Sequence, residues 1–161
     1  MRDALSKLFE HCNWANAELI RACAALDEAA LDASPDPASP WTLRHTLTHL
    51  VESQDRYVSL LTLPPDERLD PDLAFDDLAR VARESGAALL ALACGQREPY
   101  ADPLPTRDGY LVDPWLVLVQ AVNHATDHRR QLAGMLRALG RTPPRVDGWA
   151  FGEHEGALAP A

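Results

Sequence analysis

The chain has 161 residues, 47% of them hydrophobic, and a formal net charge of −9, which suits one domain with a sizeable core. No basic cluster is present to neutralise a run of phosphates, which argues against non-specific nucleic-acid binding and against attachment to an anionic membrane surface. Residues 1–14 lack a signal-peptide apolar core and no apolar run reaches bilayer-spanning length, so a cytoplasmic setting is expected.

The hydrophobic periodicity predicts four long helices. The first covers residues 2–31, where Leu5, Leu8, Cys12, Ala15, Leu19, Cys23 and Leu26 alternate by three and four as a seam. Beside it runs a second row of Phe9, Asn13, Asn16 and Ile20. Buried amides need partners. The two asparagines must satisfy each other, hold a backbone group or face a polar cavity. Cys12 and Cys23 fall on this one helix, about 16 Å apart along its axis, too far for a disulfide. Cys94 stands alone, so three reduced thiols are expected. Pro35, Pro37 and Pro40 then end the helix in a stiff loop.

The second helix is predicted over residues 42–63, stopping at Pro64-Pro65. Its apolar face is Leu43, Leu47, Leu50, Val51, Gln54, Val58 and Leu61. On the helical wheel His49 lies about 130° from the centre of that face and His45 about 170°. His49 therefore borders the interior, while His45 points to solvent or to a subunit contact. A third helix over residues 73–93 carries no cluster with chemistry and reads as scaffold. Residues 95–113 lose the helical period, and Asp108-Gly109 between two short extended runs predicts a hairpin or ordered loop over one end of a bundle.

Asp113 as N-cap and Pro114 at the first helical position open the fourth helix, which closes near Gly140. Leu118, Val122, Ala125, Leu132, Leu136 and Leu139 mark its buried face. His124 and His128, four residues apart, fall on one flank of that face. Two imidazoles so placed can grip one metal ion. The alternative is two surface histidines at a chance spacing. Arg129 falls within the apolar stripe and calls for a carboxylate or carbonyl partner. In the tail, Trp149 and Phe151 are expected to pin the chain back onto the bundle.

Taken together these residues resemble the DinB/YfiT-like superfamily of metal-binding four-helix-bundle proteins, over nearly the whole length. Asn13-Trp14-Ala15-Asn16 is similar to that superfamily's first-helix signature. His49-Leu50 falls where its second helix carries a metal-binding His-Leu pair. Asn123-His124 through His128-Arg129 and Gln131 resembles its histidine stretch, and Pro143-Pro144, Asp147 and residues 149–152 its closing segment. Two departures stand in the histidine stretch: Asp127 replaces the common first His of an adjacent pair, and Arg130 replaces the usual Gly. Gln120 stands where many relatives carry a further His.

The resemblance implies an all-α four-helix bundle with a short non-helical or hairpin insert before the fourth helix. It implies that His49, His124 and His128 bind one divalent metal ion, zinc or nickel foremost. His11, His45 and His154 would lie outside the ligand set. It also implies a metal-dependent S-transferase or isomerase that uses a low-molecular-weight thiol against a small electrophile. Asn13, Asn16 and Gln131 would orient water, ligand or imidazole. A metal-dependent hydrolase and a non-enzymatic metal-binding stress-response protein are the alternatives, and a homodimer is expected.

Overall fold

The computed structural model describes residues 4–35, 40–68 and 70–158. Four long helices, α1 (Ala4–Ala24), α3 (Leu43–Thr62), α4 (Leu78–Ala93) and α5 (Pro114–Ala138), build the bundle. Two short helices, α2 (Glu28–Leu31) and α6 (Gly148–His154), and a two-stranded hairpin of β1 (Leu104–Pro105) and β2 (Leu111–Val112) complete it. Among the described residues no helix is long and apolar enough to cross a membrane.

The first expected helix is two. Its periodic pattern runs on past Ala24, but the Asp27 carboxylate accepts a hydrogen bond from Ala30 N at 2.8 Å and caps a new helix. Aspartate gains more at a cap than in a helix interior. The break turns Leu31 into the core, where it is 2% exposed. Residues 2–3 of the expected helix, and part of the proline loop after it, lie outside the described residues.

The expected third helix also starts late. Ala74 is extended (φ −66°, ψ 146°), so a short 3₁₀ turn over Phe75–Asp77 precedes α4. The hairpin forms where Asp108-Gly109 predicts it, with Gly109 at φ +90°, a conformation that favours glycine. Gly140 (φ +71°) closes α5 in the same way, with Arg141 N returning to Leu136 O.

α1 packs on α4 and α5, and α3 packs on the same two helices. The first and second long helices thus occupy one diagonal of the bundle and meet only slightly. The connection from α1 through α2 to α3 therefore crosses the bundle. Two apolar clusters fill the interior. One joins Cys12, Leu19, Leu47, Leu50, Leu78 and Leu132. The other joins Phe9, Leu61, Leu89, Leu104 and Val117. Leu104 is fully buried, so the hairpin seals the bundle end where α3 finishes and α5 begins.

Between the two clusters, on α3 and α4, stand Gln54 and Ser85. They belong to a buried polar network that crosses all four long helices. Arg129 Nη1 donates to Asn16 Oδ1 (2.9 Å) and to Cys12 Sγ (3.1 Å), and Nη2 donates to Thr126 Oγ1 (2.9 Å). Asn16 Nδ2 donates to Gln54 Oε1 across the diagonal (2.8 Å). Gln54 Nε2 reaches Ala82 O and Ser85 Oγ on α4, both at 2.8 Å. Asn16, Gln54, Ser85 and Arg129 are each less than a tenth exposed, a burial that only satisfied polar groups tolerate.

Two packing expectations need correction. Leu5 and Leu8 do not continue the α1 seam into the core but are 41% and 43% exposed. They border a groove shared with Trp115 and Val119 of α5. In the tail, Phe151 packs against Trp14 and His11, whereas Trp149 points outward at 71% exposure. α6 turns Ala150 and Phe151 inward, and Trp149 falls on its outer side. Lys7 clamps the tail from α1 through Glu155 at 2.6 Å.

Candidate metal centre

His124 and His128 project from α5 and His49 from α3, two helices in direct contact. One ligand nitrogen from each of the three lies within 4.8 Å of the others, and the group could hold a metal ion. The ring centroids are 4.3 Å apart for His124 and His128, 4.8 Å for His49 and His128, and 5.2 Å for His49 and His124. All three side chains are half-buried on the flank of the bundle. A small molecule can therefore reach them from solvent.

The proton positions follow from the contacts. Gln131 Oε1 can only accept, so His128 Nδ1 donates to it at 2.9 Å. The lone pair of neutral His128 is thereby left on Nε2. That atom faces His124 Nε2 at 3.1 Å. Without an ion, His124 Nε2–H donates across this gap. Two imidazole nitrogens on one zinc ion stand about 3.3 Å apart when each bond is about 2.0 Å and the geometry tetrahedral. The gap already has the span that a cation in place of the shared proton requires.

Electrostatics favours the neutral, ligating form. Burial, helped by the charges of His128 and His49, pushes His124 down to about 4. Burial lowers His49 as well, with His128, Arg56 and His45 adding to it. Only a deprotonated imidazole coordinates.

The same shifts fix a sign for stability. A histidine whose folded pKa is depressed binds fewer protons folded than unfolded, so its contribution is lost as pH falls. The window runs from the unfolded value of about 6.5 down to the folded value of His124, about 4. Metal-free wild type is thus expected to lose more stability between about pH 7 and about pH 4.5 than His124→Gln does, measured as the urea midpoint. Equal losses would contradict the assigned desolvation of His124.

Two aromatic residues wall the group. Trp41 lies nearly parallel to His128 (16°, 6.1 Å between centroids) and sets its edge or face against His45 and His49. Tyr57 stands edge-on to His124 at 5.8 Å. Burial raises the Tyr57 phenol, and a hydrogen bond with Gln120 opposes that. Neither aromatic was singled out from the sequence. The signal for Trp41 was available: Trp41, His45 and His49 are spaced by four, one stripe of α3 continued backwards past its cap.

The other sequence-selected residues separate. Gln131 is at the group, bonded to His128. Asn16 is in the central network, and its amide is used by Arg129 and Gln54. Asn13 packs against Gly86 of α4, filling the space a Cβ there would take, 2.5 Å from its Oδ1. Arg129 has the expected carbonyl partner, the side-chain oxygen of Asn16. His45 is exposed, as are Asp127 and Arg130. His11 contacts Val146 O, and His154 stacks on Trp14.

Two comparisons with known proteins bear on the chain. A family model described as DinB family matches residues 1–158. No curated protein matches.

Proposed function

The chain belongs to the DinB family, and from that premise we propose that it is a divalent-metal-dependent enzyme that uses a low-molecular-weight thiol to transfer to, or isomerise, a small electrophile. The observation that carries this reading is the convergence of His49, His124 and His128 at a solvent-reachable flank. Three neutral imidazoles suit zinc or nickel and leave positions open for a small molecule. A divalent ion bound there supplies Lewis acidity and lowers the pKa of a thiol.

The remaining work falls to this chain's own residues. Gln131 keeps the His128 proton on Nδ1, so that Nε2 stays free to ligate. Trp41 and Tyr57 restrict water on two sides and hold the rings in place. The three free cysteines suit a cytoplasmic setting. The exposed apolar strip of Leu5, Leu8, Trp115 and Val119 supports a homodimer that covers it; a monomeric mass by light scattering would count against that.

The test is thiol consumption. Zinc- or nickel-loaded protein, given a thiol and a panel of small electrophiles, is expected to consume thiol, and to stop when a chelator is added or His128→Ala is used. Cleavage of esters or amides without thiol loss would replace this reading by hydrolysis. Silence in both assays would leave a metal-binding protein that is not an enzyme.

A further inference from the structure

On this acidic chain, positive charge gathers at one cavity away from the histidines. Arg56 and Ser59 of α3, Arg68 and Asp70 of the segment after it, and Thr106 and Arg107 of the hairpin line a space of about 220 Å³. Three guanidinium groups meet there. Asp70 is held loosely, 3.6 Å from Arg56 and 3.4 Å from Arg107, and its side chain is 75% exposed. Glu52 stands 3.8 Å from Arg56. Such long, solvated pairs hold little energy and yield readily to a better-placed anion.

Two groups in this cavity lack negative charge to answer them. Arg68 is 7% exposed, and its donors go to the backbone carbonyls of Leu60, Leu63 and Pro105. Burial and the charge of Arg107 push its pKa down, as crowded like charges do. Ser59 Oγ is buried with no hydrogen-bond partner among the described residues, a state that costs free energy. Capping the end of α3 explains the bonds of Arg68 to Leu60 and Leu63, and tying down the hairpin explains the bond to Pro105. Neither explains why Arg107 and Arg56 stand beside Arg68, or why the Ser59 hydroxyl is unanswered.

The cavity lies on the histidine side of the bundle. Arg56 and Leu60 each fall within about 20° of His49 around α3, and Arg56 is about 10 Å from His49 along the axis. The Arg56 charge already acts on His49. We infer that this cavity binds the anionic group, carboxylate or phosphoryl, of the small molecule whose reacting end sits at the three histidines. The link between the two places rests on the metal-centre reading; the anion pocket does not.

Titration calorimetry of the full chain at low ionic strength, metal-free, with inorganic phosphate and with succinate, tests it. At least one of the two is expected to bind saturably at one site, and the tighter one identifies the group. Arg56→Gln, at a half-buried position, and Arg107→Gln, at an exposed one, should each weaken binding by about tenfold. Arg83→Gln, on the far side of α4, should leave it unchanged. Absence of saturable binding of either anion, or wild-type affinity in both pocket variants, would overturn the inference. A chain that binds zinc but neither anion loses the pocket and keeps the metal centre. A chain that binds an anion but not zinc loses the metal centre and the link to it.

Discussion

His128→Ala is expected to lose most of the rise in thermal stability that zinc or nickel gives the wild type. The three histidines converge only in the folded chain, because His49 sits on α3 and the other two on α5. An ion that binds the folded state alone stabilises it by about 2.7 kcal/mol at a free concentration 100-fold above its dissociation constant. For a chain of this length that raises the midpoint by about 5–10 °C. His128 is the member whose loss removes most, since its ring lies nearest to both of the others and its orientation is held by Gln131. The metal-free variant should still fold, because the bundle interior rests on residues such as Leu47, Leu50 and Leu132. His45→Ala, at an exposed position, should keep the full metal-dependent rise. Equal shifts in wild type and His128→Ala would remove the metal centre.

The largest loss of stability is expected from Asn16→Ala. Asn16 is 1% exposed and both ends of its amide are engaged, one by Arg129 and the other by Gln54. Truncation strips the buried guanidinium of its carbonyl and leaves Gln54 Oε1 without a donor. Breaking a buried charged contact in this way costs about 3–5 kcal/mol. That is a large part of the 5–15 kcal/mol typical of whole domains. Thr126→Val removes only the outer partner of Arg129, on an exposed part of α5, and should cost about 1 kcal/mol. Urea unfolding decides between them. A loss no greater for Asn16→Ala than for Thr126→Val would mean that the diagonal contact does not anchor Arg129.

The long helices were legible because their apolar residues repeat at helical spacing and their ends carry strong local signals, such as Asp113-Pro114 and Gly140. The hairpin was legible from Asp108-Gly109. The break before Asp27 was not, since the hydrophobic pattern continues through it and only the cap interrupts it. Wheel geometry separated His49 from His45, because burial follows the angular position around α3. It could not say that Asn16 would meet Gln54, since that contact joins helices on a bundle diagonal and depends on which pairs pack. Arg129 was recognised as needing a carboxylate or carbonyl, but which residue supplies it was hidden for the same reason. Phe151 and Trp149 looked equivalent in sequence; the start of α6 at Gly148 turns one inward and the other out.

In the proposed centre three imidazoles, and no thiolate, hold one divalent ion. X-ray absorption of the protein loaded with one equivalent of zinc reads the ligand atoms directly. A shell of nitrogen or oxygen scatterers at about 2.0–2.1 Å with the outer-shell pattern of three imidazoles is expected, reduced to two in His49→Ala. A sulfur shell at about 2.3 Å, or an unchanged imidazole count in His49→Ala, would contradict it.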